Sequence, residues 1–329
     1  MAITASAVGV HATFLANAGG FLSRLGSRLS ALGSRALFAT LLAALSASCD
    51  PAPRHRSPNA APWYGVDDFG DTIRLNATPT RIASLNPTTT EVLFAIGAGG
   101  RLVGRTTYDH WPDSARFVTD LGPGIQPNVE AILAAKPDFV LFYASQDNRA
   151  AAAKVREAGI ATAAFKVDRI EQFDALTRLL GRIVGDSARG ALVADTVRNT
   201  LDRVRTLVKG RPRPTVVLPA WDSPLLVIGG GSFMSQLVEI AGGRNVYDAL
   251  SAPSPSVAFE DIVRRDPDFI LVGPESAARL GAQGKWRALR AVRGGKFLIL
   301  DTNVLLRPAV RLGEGAVSLA RLLHPEVVK

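Results

Sequence analysis

The sequence predicts an α/β protein of two lobes, each built on a mainly parallel sheet, with one long helix joining them. A helix, turn and strand unit occurs twice, as Asn128-Val-Glu-Ala-Ile-Leu-Ala-Ala-Lys-Pro-Asp-Phe-Val-Leu141 and as Ala258-Phe-Glu-Asp-Ile-Val-Arg-Arg-Asp-Pro-Asp-Phe-Ile-Leu271. In each copy a glutamate opens a short helix with apolar residues on one face, Val129, Ile132 and Leu133 or Phe259, Ile262 and Val263. Pro-Asp then stops the helix ahead of a β-branched and aromatic strand, and units of this kind build lobes with mainly parallel sheets. Between the copies, Val193, Val197, Thr200, Leu201, Val204, Leu207 and Val208 mark one stripe of a helix whose other side carries Arg198, Asp202, Arg203 and Arg205. Asp186 or Ser187 can cap its start and Gly210 its end. At 1.5 Å per residue it spans about 34 Å, the length of a small domain, and forms a stiff connector.

The elements follow in order. Arg24, Arg28 and Arg35 precede a short apolar run at residues 36–45, then Ser46-Ala47-Ser48 and the only cysteine, Cys49. This is the layout of a bacterial secretion signal with a small-residue cleavage site, its apolar region too short to span a membrane. No charge precedes Arg24, so the true start is expected downstream of Met1. A lone cysteine cannot form an intrachain disulfide. Asp50 to Pro62 is rich in proline and small residues and reads as an extended tether. A hairpin is expected within residues 63–80, turning at Gly70-Asp71 between Val66-Asp-Asp-Phe69 and Thr72-Ile-Arg-Leu75. Strands at Arg81–Leu85, Arg101–Arg105, Asp138–Tyr143 and Ile160–Val167 build the first lobe, with helices after Asn86 and through Ala150 to Ala158. The second lobe takes strands at Thr215–Leu218, Leu225–Ile228, Phe269–Val272 and Phe297–Leu300. Gly229-Gly-Gly-Ser232 lacks the Lys-Ser/Thr of a phosphate loop and reads as a flexible turn at a cleft edge.

With 329 residues and 47% hydrophobic content the chain can bury two ordinary cores. The formal charge of +9 is partly carried by the leader, and the rest is spread without a dense basic run and interleaved aromatics, which argues against nucleic-acid binding. Because the repeated units correspond, Glu130 and Glu260 occupy equivalent places and could grip a two-fold symmetric partner; equally, both acids favour a helix N-terminus.

The run Arg81-Ile-Ala-Ser-Leu-Asn-Pro-Thr-Thr-Thr-Glu-Val-Leu-Phe-Ala-Ile-Gly-Ala-Gly-Gly-Arg-Leu-Val-Gly104 closely resembles the opening of the iron-siderophore and vitamin B12 substrate-binding proteins of ABC importers. The resemblance continues through Lys136-Pro-Asp-Phe-Val140, Gln236-Leu-Val-Glu-Ile-Ala-Gly-Gly-Arg-Asn-Val246, Asp266-Pro-Asp-Phe-Ile-Leu271 and Arg307-Pro308, covering residues 66 to 325. It implies two Rossmann-like α/β lobes joined by one long rigid backbone helix, the class III periplasmic-binding-protein fold. The implied division is a secretion signal at 1–48, a lipidated Cys49 and tether at 49–65, an N-terminal lobe at 66–185, the backbone helix at 186–210 and a C-terminal lobe at 211–329. Cys49 resembles the lipobox cysteine, which takes the lipid; leucine is usual at the third position before it, where this chain has Ser46.

In the family, one glutamate per lobe docks to arginines on the permease, which corresponds to Glu130 and Glu260. The implied function is an exported, lipid-anchored binding protein, at the periplasm or outer face of the cytoplasmic membrane. It would pass a metal chelate, cobalamin or another corrinoid before a ferric siderophore or haem, to an ABC importer permease dimer with its ATPase. No catalytic residue, protein-held metal or cofactor is expected, and the protein is expected to be a monomer. Loops after the strands of both lobes should line the cleft. They nominate Tyr108, His110, Trp111, Tyr143, Trp221, Phe233 and Arg307, with ordinary core packing as the alternative for Trp221 and Phe233. Vitamin B12-binding members carry aromatic residues at the positions of Tyr108 and Tyr143, and tryptophans at those aligned with Gly124 and Ser254.

Other classes fit less well. No Gly-x-Ser-x-Gly, Walker-type loop, Cys-x-x-Cys or His-Glu-x-x-His pattern supports an enzyme, and a metal cluster would need several thiolates. For a bare metal ion, only His110 of His11, His55, His110 and His324 falls near the expected cleft. Haem stays open, with Tyr108, His110 or Tyr143 as axial ligand, as does a surface receptor without an importer.

Overall fold

The chain enters the fold through a hairpin. The computed structural model describes residues 63–300 and 307–326; the expected secretion signal, Cys49 and the expected tether up to residue 62 lie outside the described residues. Strands β1 (Trp63–Val66) and β2 (Thr72–Leu75) pair antiparallel. Val66 therefore ends the first strand instead of beginning it, and residues 63–65 belong to the hairpin and not to the tether. The reason lies in Asp67, whose Oδ1 accepts the N–H groups of Phe69 at 3.0 Å and Asp71 at 2.9 Å, folding 67–71 into the turn. The turn is tied to the first lobe, because Asp67 Oδ2 accepts Ala164 N at 3.0 Å and Asp68 N donates to Ala164 O at 3.0 Å.

The first lobe is a four-stranded parallel sheet in the order β4 (Leu102–Gly104), β3 (Ile82–Leu85), β5 (Phe139–Tyr143), β6 (Ala161–Phe165). Helices α1 (Pro87–Ala95), α2 (Val129–Ala134) and α3 (Gln146–Glu157) pack around it. Every residue of β3 is buried, as a parallel strand covered on both faces requires. Asn86 caps α1 by accepting Thr88 N, and Pro87 occupies the first turn, where its missing N–H costs nothing.

Residues 168–185 carry, at Arg169, no cap signal that predicts a helix from sequence. They hold helix α4 (Ile170–Ile183), which lacks an Asp, Asn, Ser or Thr cap; Gln172 Oε1 accepts the N–H groups of Asp168 and Arg169 instead. The connector is α5 (Ser187–Val208), and Asp186 Oδ1 accepts Arg189 N at its start while Gly210, at φ +77°, follows its end. Its buried residues, Gly190, Ala194, Val197, Leu201, Val204 and Val208, advance by alternate fours and threes, whereas Leu207 is half exposed and leaves the expected stripe. Helix α4 packs along one side of α5, and α10 (Leu312–Leu323) along another.

The second lobe repeats the first in plan. Its parallel sheet runs β10 (Arg244–Asn245), β7 (Thr215–Val217), β11 (Phe269–Val272), β12 (Phe297–Ile299), with α6 (Phe233–Ile240), α7 (Phe259–Arg265), α8 (Pro274–Ala282) and α9 (Arg290–Arg293) around it. The segment expected as a strand at 225–228 is not in that sheet: β9 (Leu225–Val227) pairs antiparallel with β8 (Pro219–Asp222) as a separate ribbon. A parallel neighbour of β7 needs a crossover of a dozen or more residues, and the chain between β7 and β9 is too short for one. Gly229 to Gly231 are not a flexible turn either. A Cβ at Gly230 would stand 1.9 Å from Asp248 O and one at Gly231 2.0 Å from Ser251 O, and Gly230 N donates to Leu250 O at 2.7 Å. Backbone lies directly on backbone there, which only glycine permits.

The repeated unit is structural. Lys136 and Asp266, each just before Pro-Asp, have φ of 49° and 39°. Asp138 Oδ2 accepts Thr80 N and Oγ1 at 2.8 and 2.7 Å, and Asp268 Oδ2 accepts Thr215 N and Oγ1 at 2.9 and 2.8 Å. Each aspartate thus fastens its strand to a threonine leading the neighbouring one.

Helices α4 and α5 touch at Gly181 and Gly190. A Cβ on Gly181 would lie 2.7 Å from Gly190 Cα and 2.9 Å from Asp186 O. Alanine ordinarily favours a helix interior over glycine by about 1 kcal/mol, but here the helices would have to separate. Gly181→Ala is expected to lower stability by about 1–3 kcal/mol, the usual cost of overpacking. Urea unfolding should show a lower midpoint at unchanged slope; an equal or higher midpoint would mean the helices part freely.

Candidate functional site

The carboxyl ends of the two sheets face a common cleft of about 840 Å³. Strands β3, β5, β7, β11 and β12 deliver Leu85, Tyr143, Leu218, Val272 and Leu300 to it, and β6 leads into Lys166, Val167 and Asp168 on its wall. This is where parallel α/β sheets ordinarily hold ligands. Proline and aliphatic side chains dominate the lining, including Pro123, Ile125, Pro219, Ile228, Met234 and Pro253.

Four of the seven side chains expected in the cleft are brought together there: Tyr108, Tyr143, Phe233 and Arg307. Tyr108 is more than half exposed. Tyr143 donates its hydroxyl to Asp168 Oδ1 at 2.9 Å; burial first, then the neighbouring carboxylate, holds its phenol well above the usual range. Phe233, the first residue of α6, is 6% exposed, so it serves the core and the cleft floor together.

His110, Trp111 and Trp221 do not line the cleft. Asp109 is the reason for the first two. It is 2% exposed and accepts Thr106 N at 3.0 Å, Thr106 Oγ1 at 2.9 Å and Thr90 Oγ1 at 2.7 Å, which pins the loop just after Tyr108. Tyr108 is left on the cleft side, while His110 is exposed and Trp111 half-buried outside the lining. Trp221 stands on the β8–β9 ribbon, exposed, with Nε1 donating to Ser223 O at 3.0 Å, while Pro219 and Ala220 of the same strand line the cleft. None of the 4 tryptophans of the chain lines it.

Gly124 and Ser254, which the resemblance aligns with tryptophans, both do. At Gly124 φ is +75° and a Cβ would lie 2.9 Å from Leu85 O, so no tryptophan fits there on this backbone.

The charges of the cleft are internally matched. Lys166 Nζ lies 3.1 Å from Asp168 Oδ2. Arg307 Nη1 donates to Tyr108 O at 3.2 Å, and its Nε lies 3.4 Å from Oε1 of Glu91 on α1. Glu91 is 3% exposed and its Oε2 has no hydrogen-bond partner. Burial raises its pKa to about 7; Arg307 and then Arg311 oppose this, while Asp109 and Glu314 push the same way. Burial also raises Asp109, against its hydrogen bonds from Thr90 and Thr106. Sequence reasoning missed Glu91 and Asp109, since a sequence does not show that an acid is buried, and also Lys166 and Asp168, which follow β6 onto the cleft wall.

Glu130 and Glu260 are each the second residue of their helices, α2 and α7, and both are exposed. Among the described residues no group of three His, Cys, Asp or Glu side chains could hold a metal ion, and no helix is long and apolar enough to cross a membrane.

Known proteins are similar to this chain in sequence and in fold. The vitamin B12-binding protein of Vibrio vulnificus is 24% identical over 241 residues, 73% of this chain and 88% of its own. The cobalamin-binding protein of Halobacterium salinarum is 28% identical over 311 residues, 88% of this chain and 82% of its own. The fold of the periplasmic haem-binding protein RhuT from Roseiflexus sp. RS-1 superposes with a TM-score of 0.68 at 24% identity, over 74% of this chain and 98% of that one. Residues 82–304 match the family described as "Periplasmic binding protein". With two parallel-sheet lobes, a long connecting helix and a cleft between the sheet ends, the chain belongs to the periplasmic binding protein family, whose members bind solutes and are not enzymes.

Proposed function

We propose that this protein is an extracytoplasmic substrate-binding lipoprotein that captures a corrinoid, cobalamin first, and delivers it to an ABC importer. The observation that carries the ligand reading is the cleft: broad, largely apolar, walled by Tyr108 and Tyr143, and with each of its two cations beside a carboxyl group. A corrin offers a wide flat face and a rim of neutral amides, which suits aromatic and aliphatic walls with few free charges. The names of the two curated relatives point the same way.

Titration calorimetry with cyanocobalamin, hemin and a ferric siderophore tests this. Saturable binding of cobalamin alone, or at least ten times tighter than the others, is expected; preference for either iron chelate would overturn the corrinoid reading. Alanine at Tyr108 or Tyr143 should weaken cobalamin binding by about 1–3 kcal/mol, the loss typical of a buried aromatic contact. Unchanged affinity in both folded variants would remove them from the site.

A second reading, an anionic iron chelate or haem, draws support from Arg307 in the lining and from Gly124 and Ser254 in place of tryptophan. Arg307→Ala separates the two, because an anionic ligand should lose most of its affinity and a neutral corrinoid little.

Cys49 would carry lipid and hold the body at the membrane through the tether. Cys49→Ala protein that still fractionates with membranes as the parent does would remove that role. Glu130 and Glu260 would dock the two lobes on the permease. A helix leading into a parallel strand runs back along it, so both helix starts lie toward the sheet edge that bears the cleft. The single-helix connector further implies that ligand binding moves the lobes little.

A further inference from the structure

A second hollow, of about 520 Å³, opens where both lobes meet the connector, and it shares no lining residue with the ligand cleft. Three elements contribute cations to it. Arg169 stands at the start of α4, Arg205 and Lys209 at the end of α5, and Arg211 and Arg213 on the segment leading into the second lobe. The carboxylates on its lining are Glu171 and Glu239, so five cations face two anions.

Those anions engage part of the set. Arg169 Nε lies 3.3 Å from Glu171 Oε2, and Arg213 Nη2 lies 3.8 Å from Glu239 Oε1. Arg205 pairs back along its own helix with Asp202 at 2.5 Å. The side chains of Lys209 and Arg211 have no hydrogen bond or ion pair among the described residues. Basic residues at a helix C-terminus are ordinarily explained by the helix dipole. That accounts for Arg205 and Lys209. It does not account for Arg211 and Arg213, which lie past the helix end, and it predicts the opposite charge at Arg169, which caps a helix N-terminus.

We propose that this hollow is a binding site for a phosphate-type dianion. Planar guanidinium forks match phosphate oxygens two at a time, and an ammonium adds a compact charge. A dianion seated here would tie α4, α5 and the second lobe together, and so would raise the stability of the fold by mass action. A free phosphate and a phospholipid headgroup present the same chemistry. The proposal does not depend on which chelate fills the cleft.

The test uses the full chain carrying Cys49→Ala, so that no lipid anchor contributes. Thermal unfolding is followed against inorganic phosphate and against sodium chloride of matched ionic strength. In parallel, the protein is sedimented with phosphatidylglycerol or phosphatidylcholine vesicles. The Lys209→Glu, Arg211→Glu variant is compared with an Arg74→Glu, Lys154→Glu control, which makes the same charge change at exposed positions outside the hollow. A saturable upward shift with phosphate, absent with chloride, is expected. It should weaken by about tenfold or more in apparent affinity in the first variant and persist in the control. Phosphate binding without vesicle binding identifies a free oxyanion. Phosphatidylglycerol sedimentation that is lost in the first variant and kept in the control identifies a headgroup. Absence of both effects, or equal loss in the two variants, would overturn the proposal, since the second outcome marks a diffuse charge effect.

Discussion

Lysine at both Glu130 and Glu260 is expected to abolish uptake of the ligand while leaving its capture by the isolated protein unchanged. Both glutamates are exposed, and neither side chain has a hydrogen bond or ion pair among the described residues. Their neighbour Asp261 shows the contrast: its carboxylate holds Arg265 at 2.8 Å and Arg264 at 3.1 Å, so it serves the helix itself. For Glu130 and Glu260 the fold has only the interaction with a helix start to lose, about 0.3–1 kcal/mol each. Alanine at both sites should therefore cost little stability and still impair uptake. If the proposed docking holds, lysine should be worse than alanine, because it would set like charges against arginines on the permease in addition to removing attraction. Uptake assays in cells, with calorimetry on the same variants, separate docking from capture. Normal uptake by the Glu130→Lys, Glu260→Lys protein would return both residues to a helix-end role.

What could be read from the sequence depended on whether the deciding interaction was local. The Pro-Asp units were legible because proline stops a helix by covalent geometry, and α5 because its apolar period, its Asp186 cap and Gly210 agree. Helix α4 escaped because its cap is a glutamine reaching back to Asp168 and Arg169, a pattern without the usual starting residue. The ribbon of β8 and β9 could have been found by counting residues, since no crossover fits before Leu225. Gly229 to Gly231 were misread because the carbonyls they pack on, at Asp248, Ser251 and Ala252, are distant in the chain. In the cleft, Tyr108, Tyr143 and Arg307 were found from strand ends and family likeness. Trp111 and Trp221 were misplaced because the pin at Asp109 and the outward side of a ribbon are tertiary facts.

Glu91 should make the protein lose stability as the pH rises toward neutrality, and Glu91→Gln should cancel that loss. In an unfolded chain this carboxyl titrates near 4.5, whereas in the fold burial lifts it to about 7. The folded state therefore holds the proton more tightly than the unfolded one. The resulting stabilisation is fully present below about 4.5 and is lost as the pH passes through about 7. Its size is about 3 kcal/mol, on the order of one tenfold step in proton affinity for each pH unit between the two values. Arg307 is already counted in that balance, as the largest influence holding the carboxylate charged. Glutamine keeps the shape and cannot ionise. The difference in unfolding free energy between Glu91→Gln and the parent should thus move in favour of the variant by about 2.5 kcal/mol from pH 5 to pH 8, with all other titrations cancelling in the difference. Urea unfolding of both proteins across that range measures it. A difference that stays flat would mean that Arg307 and Arg311 neutralise Glu91 fully and that it is a carboxylate throughout. If the slope appears, Glu91 is protonated below neutrality, and Arg307 then faces the cleft without its partner. An anionic ligand would gain from that change and a neutral corrinoid would not, so the same residue that sets stability against pH also bears on which ligand the cleft prefers.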